Sequence, residues 1–276
     1  MKLFKLIIAL AFVPAVTQAQ TIQLKLPKGA KYEIATTTRV NSSASVMGQE
    51  MESALDNSVV ESIEVKDARA AETDIVSIIT RITANIQAMG QEMAYNSDKK
   101  DNEGALTETF DKLKGRVKNI TIDANGKIVK EDKPAEEISA GAMGMSVGAG
   151  GLPGFNSIFT GREAKAGTTW YDSTKNVAEK LTTSTAGNYT VQSVSDGTAI
   201  ISFAGTQTST GTIEQMGMEM GMTTSSKVTS QFEVDIATGL IKKSSVTTDG
   251  NSTIEAGGMS IPATIKSTIT SSARQL

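Results

Sequence analysis

The chain has 276 residues, no cysteine, no histidine and a formal net charge of −3. Without cysteine it cannot form disulfides or carry a lipoprotein anchor, and without histidine it cannot build a Ser-His-Asp triad or a histidine-ligated zinc site. Its mild acidity argues against nucleic acid as the main partner. We therefore expect a protein stabilised by buried apolar surface, with no cofactor, no metal and no enzymatic activity.

Residues 1–19 have the layout of a secretory signal peptide. Lys2 and Lys5 precede an apolar run over residues 6–13, and small residues follow up to Ala19. The apolar run is too short to span a bilayer. We expect cleavage near Ala19 and an exported mature chain, periplasmic or secreted, without a transmembrane segment.

Long alternating patterns indicate antiparallel β structure. In the first such stretch the apolar side chains occupy even positions up to Val46 and odd positions from Met51 onward. A change of parity across a two-residue loop is typical of a hairpin, because directly paired residues share one face of the sheet. We predict this hairpin at Gly48–Gln49, with Val46 opposite Met51 and Thr38 opposite Val59.

The same change of parity recurs at three further pairs, Gly90–Gln91, Gly217–Met218 and Gly257–Gly258. Glycine at the first central position is the requirement of a type II′ turn, whose twist suits the two strands that it joins. The sequence thus predicts four hairpins with type II′ turns.

Two segments resemble each other across the length of the chain. NITIDANGKIVK begins at Asn119 and FEVDIATGLIKK begins at Phe232, and each reads as a strand, a turn ending in glycine and a second strand. We interpret the chain as two related halves, residues 20–131 and residues 169–276, each a meander of long strands.

One short helix interrupts the strands of the first half. Leu106, Phe110 and Leu113 have helical spacing and Gly115 is a stop signal, which predicts a helix over residues 105–114 that covers part of the core. The expected fold is mainly antiparallel β with this one helix. The two halves would form either a curved half-barrel or a sandwich.

Residues 132–168 connect the two halves and are rich in glycine. Residues 138–161 carry no charge and seven glycines. Such a segment is either a surface loop or a flap over an apolar cavity. On the second interpretation, the candidate lining residues for an apolar ligand are Met93, Met143, Met145, Leu152, Phe155, Phe159, Met220, Met222 and Phe232.

Methionines are concentrated in QMGMEMGM, residues 215–222. Methionine can fill gaps at strand ends, line an apolar ligand site or bind Cu(I) through its thioether. The predicted hairpin places Met220 and Met222 on the apolar face, so that the four sulfurs do not form one row. A Cu(I) site would instead combine neighbouring hairpin tips through Met47, Met89, Met216 and Met218.

Three segments together resemble a known family. MGQEM, ITIDANGKIVK and AKAGTTWYDS are similar to segments of an uncharacterised family of exported, β-rich proteins from Bacteroidota-type bacteria, defined as a domain of unknown function. The architecture is also similar in outline to the half-barrel carriers of lipids and lipoproteins in the bacterial envelope. These resemblances imply an exported β-rich fold and transfer no functional residues.

The resulting functional hypothesis is an exported envelope protein that binds or carries an apolar ligand such as a lipid. The rival hypothesis is a structural or interaction protein with a filled core, whose strands contact another envelope protein. Cu(I) binding through methionine is a further alternative.

Overall fold

The computed structural model describes residues 20–46, 48–88, 90–132, 138–140, 145–147, 154–178, 180–215 and 218–276. The predicted signal peptide lies outside these ranges. The β-strands are β1 (Gln20–Thr21), β2 (Lys31–Val46), β3 (Gln49–Ala68), β4 (Glu72–Ala88), β5 (Gln91–Asn96), β6 (Val117–Asp123), β7 (Ile128–Glu131), β8 (Ile138–Ala140), β9 (Met145–Val147), β10 (Glu163–Ala164), β11 (Thr169–Ala178), β12 (Leu181–Ser195), β13 (Thr198–Gln215), β14 (Met218–Asp235), β15 (Ile241–Ala256) and β16 (Met259–Gln275). The helices are α1 (Ala105–Asp111) and a 3-10 turn (Ser157–Phe159).

Twelve of these strands form a single large, curved, open sheet. Its order is β11-β12-β13-β14-β15-β16-β2-β3-β4-β6-β7, and β5 pairs with β4 beside β6. All its neighbours are antiparallel. The predicted class, mainly antiparallel β with long strands and one short helix, is therefore confirmed. Because β16 pairs with β2, the N-terminal and C-terminal strands meet in the middle of the sheet.

The hairpin between β2 and β3 differs in register from the prediction. Val46 pairs with Gln49 rather than Met51, and Val59 pairs with Thr36 rather than Thr38. The turn therefore lies one position earlier than predicted, with Gly48 as its second central residue at φ 79°. The type II′ assignment is wrong here, since that turn needs its positive φ at the first central position.

The other predicted hairpins exist, with similar corrections. Ala88 pairs with Gln91, so that Gly90 is again second in its turn, at φ 74°. Gln215 pairs with Met218, and the two residues between them lie outside the described ranges. The turn at Gly257–Gly258 lies where it was predicted, but both residues have positive φ, which is type I′ geometry. A shift of one position in the turn leaves parity unchanged, so the assignment of side chains to faces holds.

The apolar core lies at one end of the sheet, on the face that carries Ile34, Val40, Val246 and Ile265, which we name the inner face. Two segments, residues 22–30 and residues 154–164, cover that end. One core cluster packs Ile22, Phe159 and Ala164 against β11 to β14 and the start of β15. A second packs Leu26, Ala30 and Phe155 against β2, β3, β4 and β6.

Helix α1 covers another part of the inner face. Phe110 and Leu113 are buried against Ile82 and Tyr95, and the Tyr95 hydroxyl donates to Asp111 Oδ1 at 2.7 Å. The helical segment ends at Asp111, with Gly115 at φ 77° beyond it. The predicted helix and the buried positions of these two residues are confirmed.

Candidate functional site

The inner face carries an apolar strip beyond the part that the core covers. We name the β16 side chains Ile261, Ala263, Ile265 and Ile269 the central stripe. They share one face with Ser267, which lies between Ile265 and Ile269, because a strand repeats every two residues. Ile269 is 37% exposed, and the other three are half-buried. At about 3.4 Å per residue in an antiparallel strand, the stripe is about 27 Å long.

The neighbouring strands widen the stripe. Val246 lies opposite Ile269 and Ile254 lies opposite Ile261 on β15. Ile265 packs against the cluster formed by Val40, Leu55 and Ile86. The middle of the sheet therefore presents apolar side chains from the core to the hairpin tips.

Hydroxyl pairs flank the stripe on the inner face. The paired oxygens lie 2.7–3.0 Å apart in Thr183–Ser209, Thr224–Ser252, Ser42–Ser53 and Ser244–Ser271. Each pair joins directly opposed residues of adjacent strands. Because each hydroxyl already has a protein partner, covering this surface costs less than covering free hydroxyls.

Two buried polar groups on the inner face differ from these hydrogen-bonded hydroxyls. Asn57 Oδ1 and Trp170 Nε1 are buried without a hydrogen-bond partner among the described residues. Asn57 lies opposite Thr38, which in turn lies opposite Ile269 of the central stripe. An internal water or a donor on a ligand would satisfy this oxygen.

Glu61 is a third unusual group on the inner face. It lies opposite Ile34 and Ile79 and accepts a hydrogen bond from Ser77 Oγ at 3.1 Å. Burial raises the pKa of its carboxyl group, against the lowering effects of Ser77 and Lys118. Ionising this carboxyl group in its buried position therefore costs free energy.

The structure divides the predicted lining residues among different places. Phe155 packs edge-on against Tyr32 with ring centroids 5.4 Å apart, in the second core cluster. Phe159 and Phe232 contact each other in the first cluster, with centroids 5.1 Å apart. These three aromatic rings fill the core at one end of the sheet.

The predicted methionines are spread more widely. Met93 packs beside Val40, Leu55 and Ile86, while Met220 and Met222 lie on β14 towards the tips. Met143 and Leu152 lie outside the described residues, as does the side chain of Met145. The structure therefore does not gather the nine predicted residues at one site, and their role in ligand binding stays a prediction.

The hairpin tips at the far end share a motif whose glutamate contacts sequence reasoning missed. MGQEM occurs at residues 47–51 and 89–93, and MGMEM occurs at residues 216–220. The glutamate of each tip bonds the side chain seven positions earlier. These contacts join Ser43 to Glu50, Asn85 to Glu92 and Thr212 to Glu219. In the sequence this motif is a repeated pentapeptide. In the structure it lies at the tips of three hairpins at one end of the sheet.

The opposite face of the sheet is mainly polar, with Tyr171 and Val177 as exposed exceptions on β11. A depression of about 350 Å³ there is lined mainly by hydroxyl, amide and charged side chains, including Thr37, Gln231, Glu233 and Lys243. Within the described ranges there is no cluster of three or more acidic residues that could hold a metal ion. None of the helices in those ranges has the length and apolar character needed to span a membrane. The inner face is therefore the better candidate for an apolar ligand.

Comparison with known proteins finds a partial match to a family of unknown function. The sequence model of DUF6263, a family of unknown function, matches residues 152–241, about a third of the chain. The matched region includes all of β14 and the AKAGTTWYDS segment, whereas MGQEM at residues 47–51 and ITIDANGKIVK lie outside it. No curated protein matches the sequence.

Among solved structures, the chain is similar to lipovitellin, in a structure that describes lipid–protein interactions. The two share 9% identity with a TM-score of 0.51, and the match covers 91% of this chain and 25% of the lipovitellin chain. An outer membrane channel from Pseudomonas putida F1 matches with 9% identity and a TM-score of 0.30, covering 91% of this chain and 98% of the channel. This chain thus spans a quarter of lipovitellin, and at this identity the likeness shows the fold alone.

Proposed function

We propose that this protein binds an apolar ligand, such as a lipid acyl chain, along the central stripe of the inner face. The observation that carries the proposal is the mainly apolar strip on β16, which the described residues leave partly exposed and which runs from the core towards the hairpin tips, with Ile269 37% exposed. The likeness of the fold to lipovitellin supports it. The role is that of an exported envelope carrier and is not enzymatic.

The dimensions and energies suit an acyl chain. The hydrocarbon core of a bilayer is about 30 Å thick and holds two acyl chains end to end, so a stripe of about 27 Å exceeds the length of one chain. Each CH₂ group moved from water to an apolar surface contributes about 0.8 kcal/mol. A chain lying along Ile261, Ile265 and Ile269 would cover these side chains, and the bonded hydroxyl pairs beside them would lose few hydrogen bonds to water.

Titration with a fluorescent fatty acid tests the proposal. The key variant is Ile269→Asn, which places an amide in the stripe at a position that is already partly exposed. Its matched control is Thr270→Asn, an exposed neighbour on the opposite face of the same strand. We expect saturable binding to the unmodified chain and to Thr270→Asn, and clearly weaker binding to Ile269→Asn, with urea unfolding showing that both variants are folded under the binding conditions.

Absence of saturable binding to the unmodified chain would contradict the proposal, as would equal affinities of the two variants. Either result would favour the structural or interaction role in the envelope. Mass spectrometry of lipids extracted with the protein from its native host would identify the ligand class. The Cu(I) alternative involves Met47, Met89 and Met216, which lie outside the described residues, and stays a prediction.

A further inference from the structure

Strand β11 is one edge of the sheet and is unusually long for an edge. All ten of its residues pair with β12, from Thr169 opposite Thr190 to Ala178 opposite Leu181. On its other side no strand pairs with it in the described part of the chain. In an antiparallel strand alternate residues direct their N–H and C=O groups to opposite neighbours. About half of the backbone groups of β11 therefore point to an open edge, which is a template for another strand.

The side chains of β11 differ sharply between the two faces. On the inner face Trp170 is buried and stacks on Tyr189 with centroids 5.2 Å apart, which fixes the start of the strand. On the outer face Tyr171 is 63% exposed and Val177 is 62% exposed. One aromatic and one β-branched side chain are thus exposed to solvent near the two ends of this edge strand.

We infer that β11 pairs with β11 of a second copy of this chain, antiparallel and centred on Thr174. An antiparallel two-fold pair keeps the inner faces on one side, so inner residues oppose inner residues and outer residues oppose outer ones. Centring on Thr174 places Tyr171 of each copy opposite Val177 of the other. Aromatic and β-branched residues form favourable cross-strand pairs, and here the pair occurs twice.

The other residues of β11 are also compatible with this pairing register. Asp172 faces Asn176 and Lys175 faces Ser173, so that no like charges are opposed. Moving the centre to Ser173 would set Tyr171 against Lys175 and break both apolar pairs. The dimer would join two twelve-stranded sheets edge to edge with their inner faces on the same side. This inference does not depend on ligand binding.

The absence of cysteine from the chain allows the register to be tested directly. Thr174 would face its own copy across the two-fold axis, where Cα atoms of opposed residues lie about 4.5–5.5 Å apart, within the range of a disulfide. We expect Thr174→Cys to form a covalent dimer under mild oxidation. Asn176→Cys, on the same face but opposite Asp172, is the matched control and should cross-link far less.

Sedimentation equilibrium tests the side-chain pairing. Tyr171→Lys and Val177→Glu should each raise the dimer dissociation constant about tenfold, and the double variant should recover much of the loss by pairing opposite charges. Val117→Lys, at an exposed valine of β6, is a control without effect. A chain that stays monomeric at submillimolar concentration would overturn the inference. Equal cross-linking of the two cysteine variants, or no recovery in the double variant, would do the same.

Discussion

Gly187 and Gly205 lie directly opposite each other in the β12–β13 ladder, and the ring of Phe203 covers both. A Cβ atom at Gly205 would lie 2.6 Å from Phe203 Cζ and 2.3 Å from the carbonyl oxygen of Ala186. The pair of glycines therefore provides the surface on which Phe203 packs beside Tyr189, with ring centroids 4.6 Å apart.

Gly205→Ala should lower the free energy of unfolding by roughly 1–3 kcal/mol, because the added methyl group forces Phe203 or the backbone to move. Gly221→Ala is the matched control on β14, since its Cβ would meet nothing closer than Glu255 Cβ at 3.5 Å. Urea unfolding of the two variants measures the difference. Equal midpoints would show that Phe203 does not depend on the glycine pair.

Gly48→Ala should destabilise the β2–β3 hairpin through the backbone alone. Gly48 has a φ of 79°, and a Cβ there would contact nothing within 4 Å. The cost of a left-handed conformation is roughly 1–2 kcal/mol for an ordinary L-residue. Asparagine adopts that conformation more readily, so Gly48→Asn should lose less stability in the same unfolding assay. An alanine variant as stable as the asparagine variant would contradict the turn geometry.

Glu61→Gln should gain stability relative to the unmodified chain as the pH rises from about 4 to about 7. Burial raises the pKa of Glu61 in the folded state. A raised pKa means that the folded state holds its proton more tightly, and this contribution to stability is lost as the pH rises through the folded-state pKa. Glutamine has no charge to bury and can still accept the hydrogen bond from Ser77.

Glu64→Gln is the control for that experiment, because its stability should change with pH in the opposite direction. The hydrogen bond from Lys66 is the largest cause of the lowered pKa of Glu64, so its carboxylate stabilises the folded state above the unfolded pKa. Glu64→Gln should therefore lose stability relative to the unmodified chain over the same rise in pH. Unfolding midpoints at several pH values separate the two variants, and parallel curves would refute the assignment.

The difference in unfolding free energy between Tyr95→Phe and the unmodified chain should change above about pH 10. Burial, with the Asp111 hydrogen bond, raises the pKa of Tyr95 to about 12. Below pH 10 the variant should be less stable by about 1 kcal/mol, because it lacks that hydrogen bond. Between the unfolded pKa of about 10 and the folded pKa, only the unfolded tyrosine ionises, so the advantage of the unmodified chain should shrink. A pH-independent difference in unfolding free energy would contradict this.

The sequence predicted which residues form strands better than it predicted which residues pair across adjacent strands. Parity identified the face of residues such as Val46 and Met51, but it cannot distinguish two registers that differ by two residues, which is why the pairing of Val46 was wrong. The hairpin at Asp196–Gly197, with φ values of 48° and 71°, was missed although Asp-Gly is a strong signal for a type I′ turn. Local signals are informative only where the paired strands are close in sequence.

The candidate site was predictable only in part for the same reason. Alternation showed that Ile261, Ala263, Ile265 and Ile269 share a face. Which part of that face stays uncovered depends on where residues 22–30 and 154–164 pack, and those contacts are distant in sequence. Phe155 and Phe159 could be recognised as apolar residues in need of cover, but their burial at the end of the sheet has no local signature.

The ladder between β16 and β2 has a consequence for how this protein folds. Arg274 Nη2 lies 2.7 Å from Glu33 Oε1 across this ladder, and the two residues are 241 positions apart. The hairpins on either side can form early, since each closes a short loop, whereas the central ladder must close a loop of more than two hundred residues. Folding should therefore be slow, with the joining of β16 to β2 as a late step. Until that step both strands present long unpaired edges, and the chain is most exposed to aggregation in this interval.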